Sequence, residues 1–301
     1  MSGGKKIRKF YVLVADRWNL ADKIEKDRFL EYKNKYFEIV GVEDLAEKKT
    51  IVAASREYLQ PQFRRLEIRE HILEHKEFWA LPDGPLLVSS QFEWVTGGSG
   101  GIGWLAATIQ GNLQAVLEIV IEVMSAKLGE VWKNMLEKIE ESAELVNGNE
   151  VMVMVFLLRE WTRMYKEKPS HLIFLEGEDV VKDVSDQSYV HVREVHQPGE
   201  DFEKKVVISV MSGNTMIFEN IGFSEALAAV IEIYFIFNHC YDRDVDSSLN
   251  FIQRVLGGFG DLEGARNAKG NVKSSYTTLQ AEFGKVLVDR KLGVVTQSSS
   301  A

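Results

Sequence analysis

The sequence predicts an α+β protein with a mostly helical N-terminal part, a small antiparallel sheet and closing helices near the C-terminus. Three observations carry this. Apolar residues recur at helical spacing through residues 113–139, the stretch 171–219 switches to short β-branched runs, and an apolar helical pattern returns at 224–237.

Residues 1–60 form a charged, helix-forming region in which Gly41 separates two helices. A helical region follows over 61–165. Its first helix runs over 62–79 after Pro61, and Pro82, Asp83, Gly84 and Pro85 then turn the chain. Next, Leu113, Leu117, Val120, Met124, Leu128, Val131, Met135 and Ile139 recur at intervals of 3 or 4. That is one face of a long helix, or of two helices breaking near Gly129. Residues 151–165 are apolar nearly all round and read as a buried helix, although the Val- and Met-rich start also suits a strand.

Over 166–257 the expectation is a small sheet plus two helices. Residues 171–175, 189–196, 204–211 and 215–219 read as three or four antiparallel strands, with Ser212, Gly213 and Asn214 as a hairpin turn. Ser224 is the expected cap of a helix through Phe237, and a short helix follows at 247–256. Leu227, Ile231, Tyr234 and Phe235 fall on one face of the first helix and should pack on the sheet, burying Phe235. Residues 258–301 read as a flexible tail, with 283–288 as a weak strand.

Composition narrows the function classes. The 301 residues carry 36 Lys and Arg against 45 Asp and Glu, a net charge of −9 that disfavours nucleic acid as a partner. The single cysteine, Cys240, excludes an intramolecular disulfide framework. It reads as a packing residue beside His239. The apolar run Phe10 to Ala15 after the basic start is broken by Asp16 and Arg17, too short for a signal-peptide core. The longest uninterrupted apolar run, residues 151–158, is far below the roughly 20 residues that span a bilayer. A cytoplasmic or nuclear protein without a membrane span is expected.

Three spellings point to chemistry. Residues 96–103, Thr-Gly-Gly-Ser-Gly-Gly-Ile-Gly, match a phosphate-cradling loop, with Gly97, Gly98, Gly101 and Gly103 as the cofactor-binding candidates. Such a loop needs a strand before it, for which residues 86–95 are the candidate, and a second strand ending in an acidic residue about 20 residues on. The following segment is helix-periodic instead. The loop also resembles that of short-chain dehydrogenases, which implies a Tyr-x-x-x-Lys pair. Tyr165, Tyr189 and Tyr276 have Pro169, Arg193 and Gln280 at the fourth position.

His71, Glu74 and His75 fit the His-x-x-Glu-His spelling of inverted zinc peptidases, which places two imidazoles on one helix face. Charged neighbours on all sides favour a solvated helix. Asp242, Asp244 and Asp246 imitate the first three ligands of a calcium loop. Ser247 stands where the loop needs Gly, and Gln253 where it needs a bidentate Glu. The turn therefore reads as an acidic helix cap. His191 and His196 are five apart and face opposite ways on a strand.

A longer resemblance covers residues 72–260. It rests on Glu77, Phe78, Trp79 and Pro82, on Gln91 with Phe92, Glu93 and Trp94, and on the Lys168-Pro169 turn. It continues with Glu225, Ala226 and Leu227, with Tyr234 and Phe237, and with Phe251, Gln253 and Arg254. In this order the residues resemble the sterile alpha motif domain-containing protein three-like group, whose members are scattered in copies as if carried by mobile elements. No sterile alpha motif is recognisable. The resemblance implies a helix over 86–95, and it brings no catalytic residue. The functional expectation is a non-enzymatic protein with an unknown protein partner, an interaction or scaffold role, no metal and no cofactor. The alternative is an NAD(P)-dependent oxidoreductase using the glycine loop.

Overall fold

The computed structural model describes residues 38–39, 41–54, 79, 83–97, 100–130, 132–134, 136–137, 149–180, 185, 187–196, 204–237, 239–259 and 281. Helices dominate the N-terminal part, a four-stranded sheet follows, and helices close the chain, so the fold is α+β. The chain divides into two compact units, one of residues 1–105 with 232–240, the other of 106–231 with 241–301.

In the first unit, helix α1 (Leu45–Ala54) starts at Asp44, whose Oδ1 accepts the backbone N–H of Glu47 at 2.8 Å. Helix α2 (Gly84–Thr96) takes Pro85 into its first turn, where the missing N–H costs nothing. Ser90 of α2 donates to the carbonyl of Val52, and Lys48 pairs with Asp83 at 2.8 Å. Phe92 is fully buried, stacked on Trp104 and edge-on to Phe235, while Trp79 stacks on Phe237.

Helix α3 (Trp104–Leu128) ends at Gly129, whose φ of +54° stops it where the periodicity allowed a break. Leu105, Ile109, Leu113, Val116, Leu117, Val120 and Met124 are buried, and Glu118 and Glu122 are exposed. By length and composition alone α3 could also cross a membrane, a possibility that counting uninterrupted apolar residues overlooked. Helix α4 (Asn149–Met164) is helical from its start, and Trp161 packs against Tyr165 and Phe251.

The sheet belongs to the second unit and comprises β1 (Ile173–Leu175), β2 (Ser188–His196), β3 (Lys204–Ser212) and β4 (Thr215–Glu219), in that spatial order. The antiparallel expectation needs correction, because β1 pairs with β2 in parallel, Ile173 opposite Val190 and Leu175 opposite Val192. The connection from 176 to 187 is long enough for a crossover, which a tight hairpin is not. β2, β3 and β4 are antiparallel, and Gly213 and Asn214 join β3 to β4, where Gly213 has a φ of +53°. A shift at Val210 and Met211 leaves Ile217 of β4 without an opposite number.

A four-residue helix α5 (Pro169–Leu172) leads directly into β1. Helix α6 (Phe223–Ile236) begins one residue before Ser224, so Ser224 does not cap it. The Ser224 hydroxyl donates to Gln110 Oε1 at 2.6 Å, and Glu225 accepts the Gly222 N–H in the capping position. Nor does α6 have a single apolar face. Ala226, Val230 and Ile233 are as buried as Leu227, Ile231 and Tyr234, whereas Phe235 is only half-buried. Helix α7 (Asp246–Phe251) continues into a π-helical turn (Ile252–Leu256), and the Leu256 carbonyl accepts from Asn112 of α3.

Candidate functional site

The glycine loop joins two helices, α2 and α3, so residues 86–95 are not the strand that a dinucleotide fingerprint requires. Its glycines serve the connection. Gly97 ends α2 at a φ of +67°, Gly101 and Gly103 stand at +81° and +82°, and a Cβ on Gly100 would lie 2.5 Å from Trp104. The Gly103 N–H is taken by the Ser89 hydroxyl at 2.6 Å. Gly98 lies outside the described residues, as do His71, Glu74 and His75. Cys240 is exposed and sits beyond the end of α6, so it is not a packing residue. His191 lies on β2 against Phe174, with Glu176 3.6 Å away, and burial pulls its pKa below the ordinary value.

The structure gathers polar chemistry around the acidic turn instead. Lys166, at a φ of +62°, reverses the chain after α4, and Pro169 opens α5. Glu167 between them reaches the start of α7. Its carboxylate accepts the backbone N–H of Ser247 at 2.8 Å and of Ser248 at 3.0 Å. Burial first, and then the carboxylate of Asp246, raise the Glu167 pKa. The cap of α7 is thus Glu167, and the acidic turn supplies none.

The Lys168 N–H donates to the Asp244 carbonyl at 3.0 Å, fixing residues 242–246 beside α5. His171 of α5 then meets the turn. Its Nδ1 lies 2.9 Å from Asp242 Oδ2 and 3.7 Å from Asp244 Oδ2. Asp242 Oδ2 also accepts from the Ser185 hydroxyl at 2.6 Å, and Oδ1 accepts the Asp244 N–H at 3.0 Å. Lys168 Nζ stands 2.6 Å from Asp244 Oδ2. Burial alone would raise the Asp242 pKa, but Ser185, the Asp244 N–H and His171 outweigh it and lower it.

This arrangement is not a nucleophilic triad. Ser185 donates to the aspartate rather than to the imidazole, so His171 is not placed to take its proton. It is not a calcium loop either, because Asp246 turns to Glu167 while Asp242 and Asp244 face His171. The sequence drew attention to the acidic turn alone. His171, Ser185 and Lys168 join it from at least 57 positions away, and only the helix-opening Lys168-Pro169 pair was visible locally.

Comparison of the chain with protein-family models, curated proteins and solved structures finds no match.

Proposed function

We propose that the chain is a non-enzymatic protein that acts by binding another protein along the open end of its sheet. The carrying observation is an overhang. β2 and β3 pair over nine positions, but β1 flanks β2 only at residues 190–192 and β4 flanks β3 only at 209–212. Beyond those limits, residues 193–196 and 204–207 pair with each other, with no third strand among the described residues. The Ile208 carbonyl accepts from Ile221 and so points away from β2; two residues on, Val206 presents its backbone on the same open edge. Such an edge is a template for an added strand. Val195, at the same end, is 37% exposed. The structural use of the glycines supports the reading further.

A photo-crosslinker at Val195 should trap a discrete partner in cells. Val206→Pro should abolish the adduct and Val206→Ala should retain it. The reading fails if no specific adduct forms or if both variants trap alike. Calorimetry with NADH and NADPH separates it from the oxidoreductase alternative, since no saturable heat is expected.

A further inference from the structure

We infer that His171, Asp242 and Asp244 form a binding site for a divalent first-row transition-metal ion. One imidazole nitrogen and two carboxylate oxygens, from elements about 70 positions apart, lie within 4.8 Å of one another. Two atoms bound to Zn²⁺ at about 2.0–2.1 Å in a tetrahedral arrangement are about 3.3 Å apart. The separations of 2.9 and 3.7 Å from His171 Nδ1 bracket that spacing, so the ion needs only small side-chain shifts.

The donor set fits the ion. A nitrogen beside two carboxylates suits Zn²⁺ or Mn²⁺ better than Ca²⁺ or Mg²⁺, which favour oxygen throughout. Ser185 holds Asp242 Oδ2 from outside the trio, as supporting hydrogen bonds hold ligands in metal sites. The trio leaves a fourth position for water. Of the three ligands, His171 and Asp242 are largely enclosed.

Lys168 is the competitor. Its ammonium occupies the charge of Asp244, and its side chain is 60% exposed. Metal binding exchanges that ammonium, and the proton shared by His171 and Asp242, for the ion. An ordinary surface site has no such built-in rival, so removing the lysine gives a distinctive signature.

The test uses the full chain, stripped by chelation and titrated with Zn²⁺ or Mn²⁺ alone. One ion per chain should bind, with Mg²⁺ and Ca²⁺ much weaker. His171→Ala and Asp242→Asn should each weaken binding at least tenfold, and Lys168→Ala should tighten it several-fold. Absence of saturable binding overturns the inference, and so does unchanged affinity in His171→Ala and Asp242→Asn. If those two variants fail to fold by circular dichroism, Lys168→Ala decides: tighter binding supports the site, and unchanged or weaker binding refutes it.

Discussion

Arg159 of α4 and Glu232 of α6 are both buried ionisable groups on helices, yet the chain treats them in opposite ways. Arg159 meets Asp179 through two parallel hydrogen bonds, at 2.6 and 2.9 Å, and also donates to the Ile173 carbonyl at the start of β1. Asp179 in turn accepts the Leu175 N–H at 2.7 Å. The pair therefore clamps the short parallel strand to α4 and to the following turn. Glu232 has Ser89 as its hydrogen-bond partner, and its Oε1 has none among the described residues. Burial, opposed only by that bond, pushes its carboxyl up to about 8. A buried charge with an opposite charge beside it becomes architecture; one held only by a hydroxyl gives up its charge.

The largest expected effect sharpens the Glu232 side. A folded carboxyl at about 8 against an ordinary 4.5 holds a proton the unfolded chain has lost. Stability should therefore be greatest below pH 4.5 as far as this group is concerned, fall as pH rises towards 8, and level off above, by at most about 5 kcal/mol. Glu232→Gln should flatten that part of the profile, as seen in thermal melts at several pH values. A variant profile parallel to the wild type would place the pH dependence elsewhere.

Next comes the Arg159 side. Asp179→Ala leaves a buried guanidinium with only a carbonyl and the exposed Glu178 at 3.9 Å, and should cost about 3–5 kcal/mol in denaturant unfolding. A loss below 1 kcal/mol would mean that water or rearrangement supplies the missing partner. Phe235→Ala provides an uncharged reference near Glu232. Because Phe235 is half-buried and edge-on to Phe92 at 5.4 Å, about 2 kcal/mol is expected, less than the cost of emptying a sealed core position. The smallest effect belongs to the exposed Arg193–Glu219 pair across β2 and β4. Removing either partner should change stability by less than about 1 kcal/mol, and high salt should erase the difference.

Legibility followed the range of the interactions. The helical spacing of Leu113, Leu117, Val120 and Met124 and the break at Gly129 depend on near neighbours, and both were readable. So was the turn at Gly213. The parallel pairing of β1 was not, because no local pattern distinguishes the short buried run Ile173–Leu175 from a hairpin strand. The start of α6 was misread by two residues because Ser224 has the chemistry of a cap but spends its hydroxyl on Gln110, over a hundred positions earlier. At the acidic turn the carboxylates were visible and their partner was not. What makes Asp242 chemically interesting is His171, which sequence spacing places 71 residues away.

The crossover that makes β1 parallel also has a consequence in time. β3 and β4 are joined by the turn at Gly213 and close a short loop, whereas β1 ends at Leu175 and must pair in parallel with a strand that begins at Ser188, with Arg159 on its carbonyl. Loop closure is slow where contacts are distant in sequence. Assembly should therefore run from the β3–β4 turn outward, with β1 last. In pulse-labelled hydrogen exchange during refolding, the Glu176 N–H, which bonds to Val192, should gain protection after the amides shared by β3 and β4. Simultaneous protection would instead make the whole sheet one cooperative step.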